Sequence, residues 1–164
     1  MKSLLSKLLI LLVYMTIGCN SQKQSNNSST DKTFTEFENE FLDAYWKQYP
    51  SGSINVGYGK YYEKLVIPDS TSFTNNVAFS DKWIDSLNKL DYYQLNDNNK
   101  ISFDIIKNQL QSDSWYTSIF KIQEWDASIY NISASCDYLI NQPYAPLEER
   151  LKILSHYLEN AEDY

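Results

Sequence analysis

Apolar residues spaced three and four apart constrain this chain most. Phe34, Phe37, Phe41, Tyr45 and Trp46 keep to one face of a helix with 3.6 residues per turn. A half-buried strand would instead alternate at every second position. Thr33 with Glu36 fits a capping box at the start of this helix, and Pro50 stops it after Tyr49. The spacing returns in Leu147, Leu151, Leu154, Leu158 and Ala161, with Glu148, Glu149 and Lys152 on the outer face. Four Gly and four Pro are too few for the tight turns of an all-β protein. The 14 Tyr, 7 Phe and 4 Trp supply enough apolar area for a core.

Three further helices fill the middle. One is expected over residues 72–90, burying Val77, Trp83, Ile84, Leu87 and Leu90. A second is expected over residues 98–116, with Asp97 as its N-cap and Ile101, Ile105, Ile106 and Leu110 lining its buried side. A third follows a turn at residues 125–130 and runs through Leu139, weakened by β-branched residues near Ile129. Residues 51–69 read as an ordered loop. Pro146 suits the first position of the last helix. The fold class is therefore all-α, a bundle of about five helices with one long ordered loop. Glu159, Glu162 and Asp163 stand where a helix dipole prefers cations, and no C-cap glycine follows. The expectation is an incomplete part of a larger helical domain.

The opening residues carry an address. Lys2 and Lys7 precede an apolar run over residues 8–17. Ten helical residues span about 15 Å, half of a bilayer core, which suits an export signal and not a membrane span. Thr16-Ile17-Gly18-Cys19 resembles a lipobox, although the usual leading Leu is Thr16. Residues 1–18 are thus expected to be a lipoprotein signal peptide, and Cys19 the lipidated residue. Acyl chains contribute about 0.8 kcal/mol per buried methylene, so several anchor where one would not. Residues 20–32 contain no apolar side chain and read, with Cys19, as a flexible polar tether over 19–32. The helical region is placed at 33–164. These features point to a bacterial envelope protein, tied to the membrane through Cys19 and facing the periplasm.

Net charge is −7, and loss of Lys2 and Lys7 with the signal would make it −9. An acidic surface repels phosphate backbones, which argues against nucleic acid as a partner. It also repels anionic lipid, so attachment must rest on the acyl chains.

Residues able to carry chemistry are sparse. H-E-x-x-H, C-x-x-C, G-x-S-x-G and a phosphate loop are all missing from the sequence. A lone histidine, His156, cannot build a two-histidine zinc site. Cys136 reads as a small buried residue, since a catalytic thiol would want His156 beside it and nothing in the sequence places them together. Arg150 could clamp a carboxylate, or form a structural ion pair. Trp125 with Asp126 reads as a core tryptophan beside a capping aspartate, the alternative being a pocket wall. Gly57-Tyr58-Gly59-Lys60 lacks the strand-loop-helix frame of a nucleotide site. The adjacent acids Glu148-Glu149 and Glu162-Asp163 diverge by about 100° on a helix and do not form dyads. No catalytic, cofactor or metal residue is assigned.

Several stretches together resemble the domain of unknown function 885 family of large helical bacterial proteins, many of them lipoproteins. The pieces are Phe41-Leu42-Asp43-Ala44-Tyr45-Trp46 followed by Tyr49-Pro50, and then Val56-Gly57-Tyr58-Gly59. Later come Glu124-Trp125-Asp126-Ala127-Ser128-Ile129-Tyr130-Asn131 and Pro146-Leu147-Glu148-Glu149-Arg150-Leu151. A Pro often stands in that family where Ala127 is here. The resemblance implies a non-catalytic N-terminal helical region of a metallopeptidase-like protein. Its zinc motif would lie elsewhere, so this chain alone is expected to be inactive. Zinc and a peptide substrate would belong to a full-length form. The alternative is a stand-alone envelope lipoprotein module that binds a ligand or protein partner through its Tyr- and Trp-rich surface.

Overall fold

The structure is a computed structural model that describes residues 29–159 and 161. The expected signal peptide, Cys19, residues 20–28 of the expected tether and the Glu162-Asp163 pair lie outside the described residues. The all-α reading holds, with six helices and no strand among the described residues. They are α1 (Ser29–Gln48), α2 (Pro50–Asn55), α3 (Ser70–Leu87), α4 (Asp97–Ser118), α5 (Ser133–Asn141) and α6 (Leu147–Leu158). Short 3₁₀ turns occupy Tyr92–Gln94, Ile122–Glu124 and Ala127–Tyr130. None of the described helices is long and apolar enough to cross a membrane.

Two hydrophobic cores lie side by side. The first joins α1, α3 and α4 through Phe34, Phe41, Trp83, Leu87, Phe103, Ile106 and Leu110. Phe37 and Phe41 each present a face or edge to Trp83 at 5.4 Å between ring centres, near-perpendicular in both pairs. That geometry adds about 0.5–1.5 kcal/mol per pair beyond burial. Contacts along α1 and α4 run in step: Asp31 with Asn96 and Asn99, Phe34 with Phe103, Tyr45 with Asp113. The two helices are therefore parallel. The second core gathers Ile54 of α2, Tyr62 and Leu65 of the loop, Leu139 of α5 and Tyr157 of α6.

Several boundaries differ from the sequence expectation, each for a local reason. Helix α1 begins at Ser29, so residues 29–32 are helix and not tether. Thr33 is not its cap; its hydroxyl donates to the Ser29 carbonyl one turn back, at 3.0 Å. Buried Asp31 accepts from the Asn96 backbone and the Asn99 amide, both at 2.9 Å, at the positive end of α4. Pro50 ends α1 as expected but also starts α2, where its fixed φ and missing N–H fit the first position. Asn96, not Asp97, caps α4 by accepting from the Asn99 N–H at 2.9 Å. The fourth expected helix starts only at Ser133. Asp126 and Asn131 each accept a backbone N–H two residues on, from Ser128 and Ser133, which holds the chain in turns. Pro146 precedes the last helix as its N-cap.

Two helices bury only part of the face the spacing suggested: Ile106 and Leu110 are buried as expected, and Leu154 and Ala161 pack on the second core. In α4, Ile101 and Ile105 are 59% and 63% exposed, while Phe103, Ile106 and Leu110 enter the core. In α6 the fully buried residue is Tyr157. The neighbouring isoleucines of α4 give a direct check. Ile106→Ala should lower the unfolding free energy by about 2–5 kcal/mol, whereas Ile105→Ala should stay within about 0.5 kcal/mol of the parent, both read by denaturant melts.

Candidate functional site

The end of α4 and the turns after it gather exposed aromatic rings beside a cleft. The Trp115 carbonyl accepts from both the Ile119 and Phe120 N–H groups at 3.0 Å, closing the helix. Lys121 then takes a left-handed conformation, φ 52°, which turns the chain back. This turn gathers aromatic rings. Phe120 stacks on Trp115 at 5.1 Å and meets Trp125 edge-on at 4.8 Å, and Tyr116 lies edge-on to Phe120 at 5.5 Å. The Trp125 indole N–H donates to the Phe120 carbonyl at 3.1 Å. Trp125 is 59% exposed, so the core-tryptophan reading is corrected: the turn that closes on Phe120 holds the ring at the surface. Asp126 does cap, though for a 3₁₀ turn.

Beside this corner lies a cleft of about 540 Å³ between the first half of α3 and residues 117–130. Phe73 and Val77 give it an apolar wall, and Thr117, Lys121, Glu124 and Tyr130 a polar rim. Gln123 donates to the Thr117 carbonyl at 3.1 Å, while its Oε1 is buried with no hydrogen-bond partner. The cleft is shallow and open to solvent. Lys121 and Glu124 pair at 3.0 Å on the exposed rim. The set can bind and orient; it contains no nucleophile paired with a base.

Two further polar clusters serve the fold. On the outside of α1, one Asp43 carboxylate oxygen accepts from Lys60 at 2.5 Å, Tyr61 at 3.0 Å and Tyr58 at 3.2 Å. The Lys60 hydrogen bond leads in holding the Asp43 carboxyl below its ordinary value, and the same bond raises Lys60. Gly57 and Gly59, at φ 74° and 67°, let the loop turn so that these donors converge. The Gly57-to-Lys60 segment is thus a latch. Between α1, α3 and α4, the Tyr45 hydroxyl donates to Asp113 at 3.1 Å and the Gln109 amide does so at 2.8 Å. Burial pushes Asp113 above the ordinary carboxylate value. Burial first, and then the Asp113 charge, push Tyr45 and Tyr49 above the ordinary phenol range. The buried hydroxyls of Tyr49 and Ser80 lie beside each other there, and the Ser80 hydroxyl offsets part of the rise at Tyr49.

The residues singled out from sequence fall apart in space. Cys136 is half-buried at the edge of the second core, not fully inside it, and burial raises its thiol pKa, which keeps it a poor nucleophile. His156 lies against Glu63 at 3.3 Å and Glu159 at 3.9 Å. Among the described residues, Arg150 pairs with no carboxylate, neither as a clamp nor as a structural ion pair. Its guanidinium donates to the carbonyls of Ile140 and Gln142 at the end of α5, where a cation meets the negative end of the helix. Glu148 and Glu149 are exposed. Among the described residues, no group of three or more His, Cys, Asp or Glu side chains is placed to hold a metal ion. The described residues thus do not fit the zinc site that the family resemblance implies for a longer protein.

No family model and no curated protein matches this chain. Among solved structures, a protein of unknown function from Shewanella oneidensis, described as a candidate lipoprotein, is similar in fold and sequence. The TM-score is 0.72 and the identity 31%, over 77% of this chain and 23% of that one. The present chain thus spans less than a quarter of that protein's length.

The Asp113 cluster makes a prediction whose sign follows from burial. Its raised pKa means that the unfolded chain ionises first, so the charge costs the fold more as pH rises through the window above 3.8. Asp113→Asn, which keeps an acceptor for Tyr45, should melt above the parent at pH 7, with the gap closing as pH falls toward that value. Asp113→Ala strands the Tyr45 hydroxyl and should cost about 1–3 kcal/mol. Thermal melts across pH check both.

Proposed function

We propose that this chain is the non-catalytic, N-terminal helical region of a lipid-anchored bacterial envelope protein. The carrying observation is that its fold recurs, at 31% identity, as 23% of a much longer candidate lipoprotein. Lys2, Lys7, the apolar run and Gly18-Cys19 supply the matching address in this sequence. In this reading the signal peptide leaves, Cys19 takes the lipid, and residues 20–28 space the helical body from the membrane on its periplasmic side. The resemblance to the domain of unknown function 885 family extends the reading: the longer protein is metallopeptidase-like, with zinc and peptide substrate handled by residues outside this chain. The helices described here wall and support, and do not perform the reaction.

A second reading rests on a different observation, the cleft of about 540 Å³ beside the exposed Trp115–Trp125 corner. In it, the chain is a stand-alone envelope module that captures a small ligand or a partner at that corner.

Metabolic labelling with a fatty acid tests the anchor. The parent should incorporate label and sediment with membranes, and Cys19→Ser should lose both properties. Unlabelled parent protein would sink the lipoprotein reading. The DNA beyond the codon for Tyr164 separates the two forms: a continuation encoding H-E-x-x-H supports the longer protein, and intergenic sequence supports the module.

A further inference from the structure

Among the described residues, nothing covers one apolar face of helix α6. Leu147, Leu151, Leu154 and Leu158 are spaced four, three and four apart, the seam of a helix that packs knobs into holes. The helix docks into the second core by Tyr157, with Ile153 and Leu154 partly buried. Tyr157 and Ile153 lie about 110° round the helix from the middle of the leucine seam. The seam therefore points sideways, and Leu147, Leu151 and Leu158 are 54%, 48% and 38% exposed. On one flank of the seam stand Arg150 and Tyr157, already engaged with α5 and the core. On the other stands Glu148, exposed.

The size of the seam selects its occupant. A helix of 12 residues is about 18 Å long, and packed helices lie roughly 10 Å apart. One helix laid on this seam covers on the order of 200–300 Å² a side, well below the roughly 800 Å² per partner of a stable interface. A free second copy is too weakly held by such a face. A helix on the same polypeptide is not, because the covalent link supplies an effective concentration of about millimolar or more. The Shewanella oneidensis protein, of which this fold is 23%, has ample chain beyond the matched part to provide one.

We propose that the leucine seam of α6 is the docking face for an amphipathic helix of the same polypeptide, lying in a longer form of this protein. That helix presents apolar residues every three or four positions and a basic residue opposite Glu148. The inference rests on the longer-protein reading above and adds the surface through which this region joins the remainder.

The test uses the product of the native gene in its own membranes. Leu151→Cys, Leu147→Cys and Lys152→Cys are introduced singly and probed with a water-soluble maleimide, the parent serving as background for Cys136. Lys152 is exposed on the same helix and reports unprotected reactivity. A covered seam predicts that Leu151→Cys and Leu147→Cys react at least tenfold more slowly than Lys152→Cys. Equal rates overturn the proposal, as do disulfide or bis-maleimide links that join two copies. The mass of the labelled product tells the two failures apart. A product well above 19.2 kDa with freely reacting seam cysteines overturns the seam alone. A product near that mass overturns the longer-protein reading and the seam together.

Discussion

The aromatic edge of α1 is the contact on which the rest of the structure depends. Phe34 and Phe41 are buried in the first core, and Phe37 and Tyr45 close over it against Trp83 and Phe79. The helix then passes through Pro50 directly into α2, whose Ile54 is fully buried in the second core. Helices α3 and α4 lie against each other, and α5 against α6, but the α1–α2 unit reaches both pairs. Its polar residues extend the same role. Asp31 fixes the start of α4, Tyr45 reaches Asp113 near its end, and Asp43 holds the loop that feeds the second core.

How much of this was legible depended on whether the signal was local. The 3.6-residue spacing of Phe34, Phe37 and Phe41 reports a helix because it needs no partner to be visible. Pro50 marks a boundary for the same reason: its missing N–H acts within one turn. What failed was the extent of the buried face, since only Ile106 and Leu110 in one helix and Leu154 in the other pack inward from the expected stripes. Ile101 with Ile105, and Leu147 with Leu151 and Leu158, form stripes as regular as the one on α1, yet they face solvent. Spacing shows that a helix has an apolar side, and says nothing of whether this chain supplies the cover. Asp31 was hidden for a related reason. It sits in a polar stretch that reads as tether, and its value comes from Asn96 and Asn99, more than sixty positions away.

The candidate site was less legible than the fold. Cys136, His156 and Arg150 drew attention as rare residues, and each serves the packing around α5 and α6. The Trp125–Asp126 pair was visible, but the corner it belongs to depends on the left-handed turn at Lys121, a non-glycine position that sequence does not flag. The cleft beside it joins residues of α3 to residues some fifty positions later. The described residues form two modest cores and leave several apolar side chains of α4 and α6 exposed.

Hydrogen exchange across the purified protein tests the central role of α1 most directly. Amides around Phe34 to Tyr45 should exchange only through global opening, as slowly as those around Phe103 to Leu110 in α4, while α6 opens sooner. If the α1 amides exchange early and α6 stays protected, the two cores do not depend on this helix and the account is wrong.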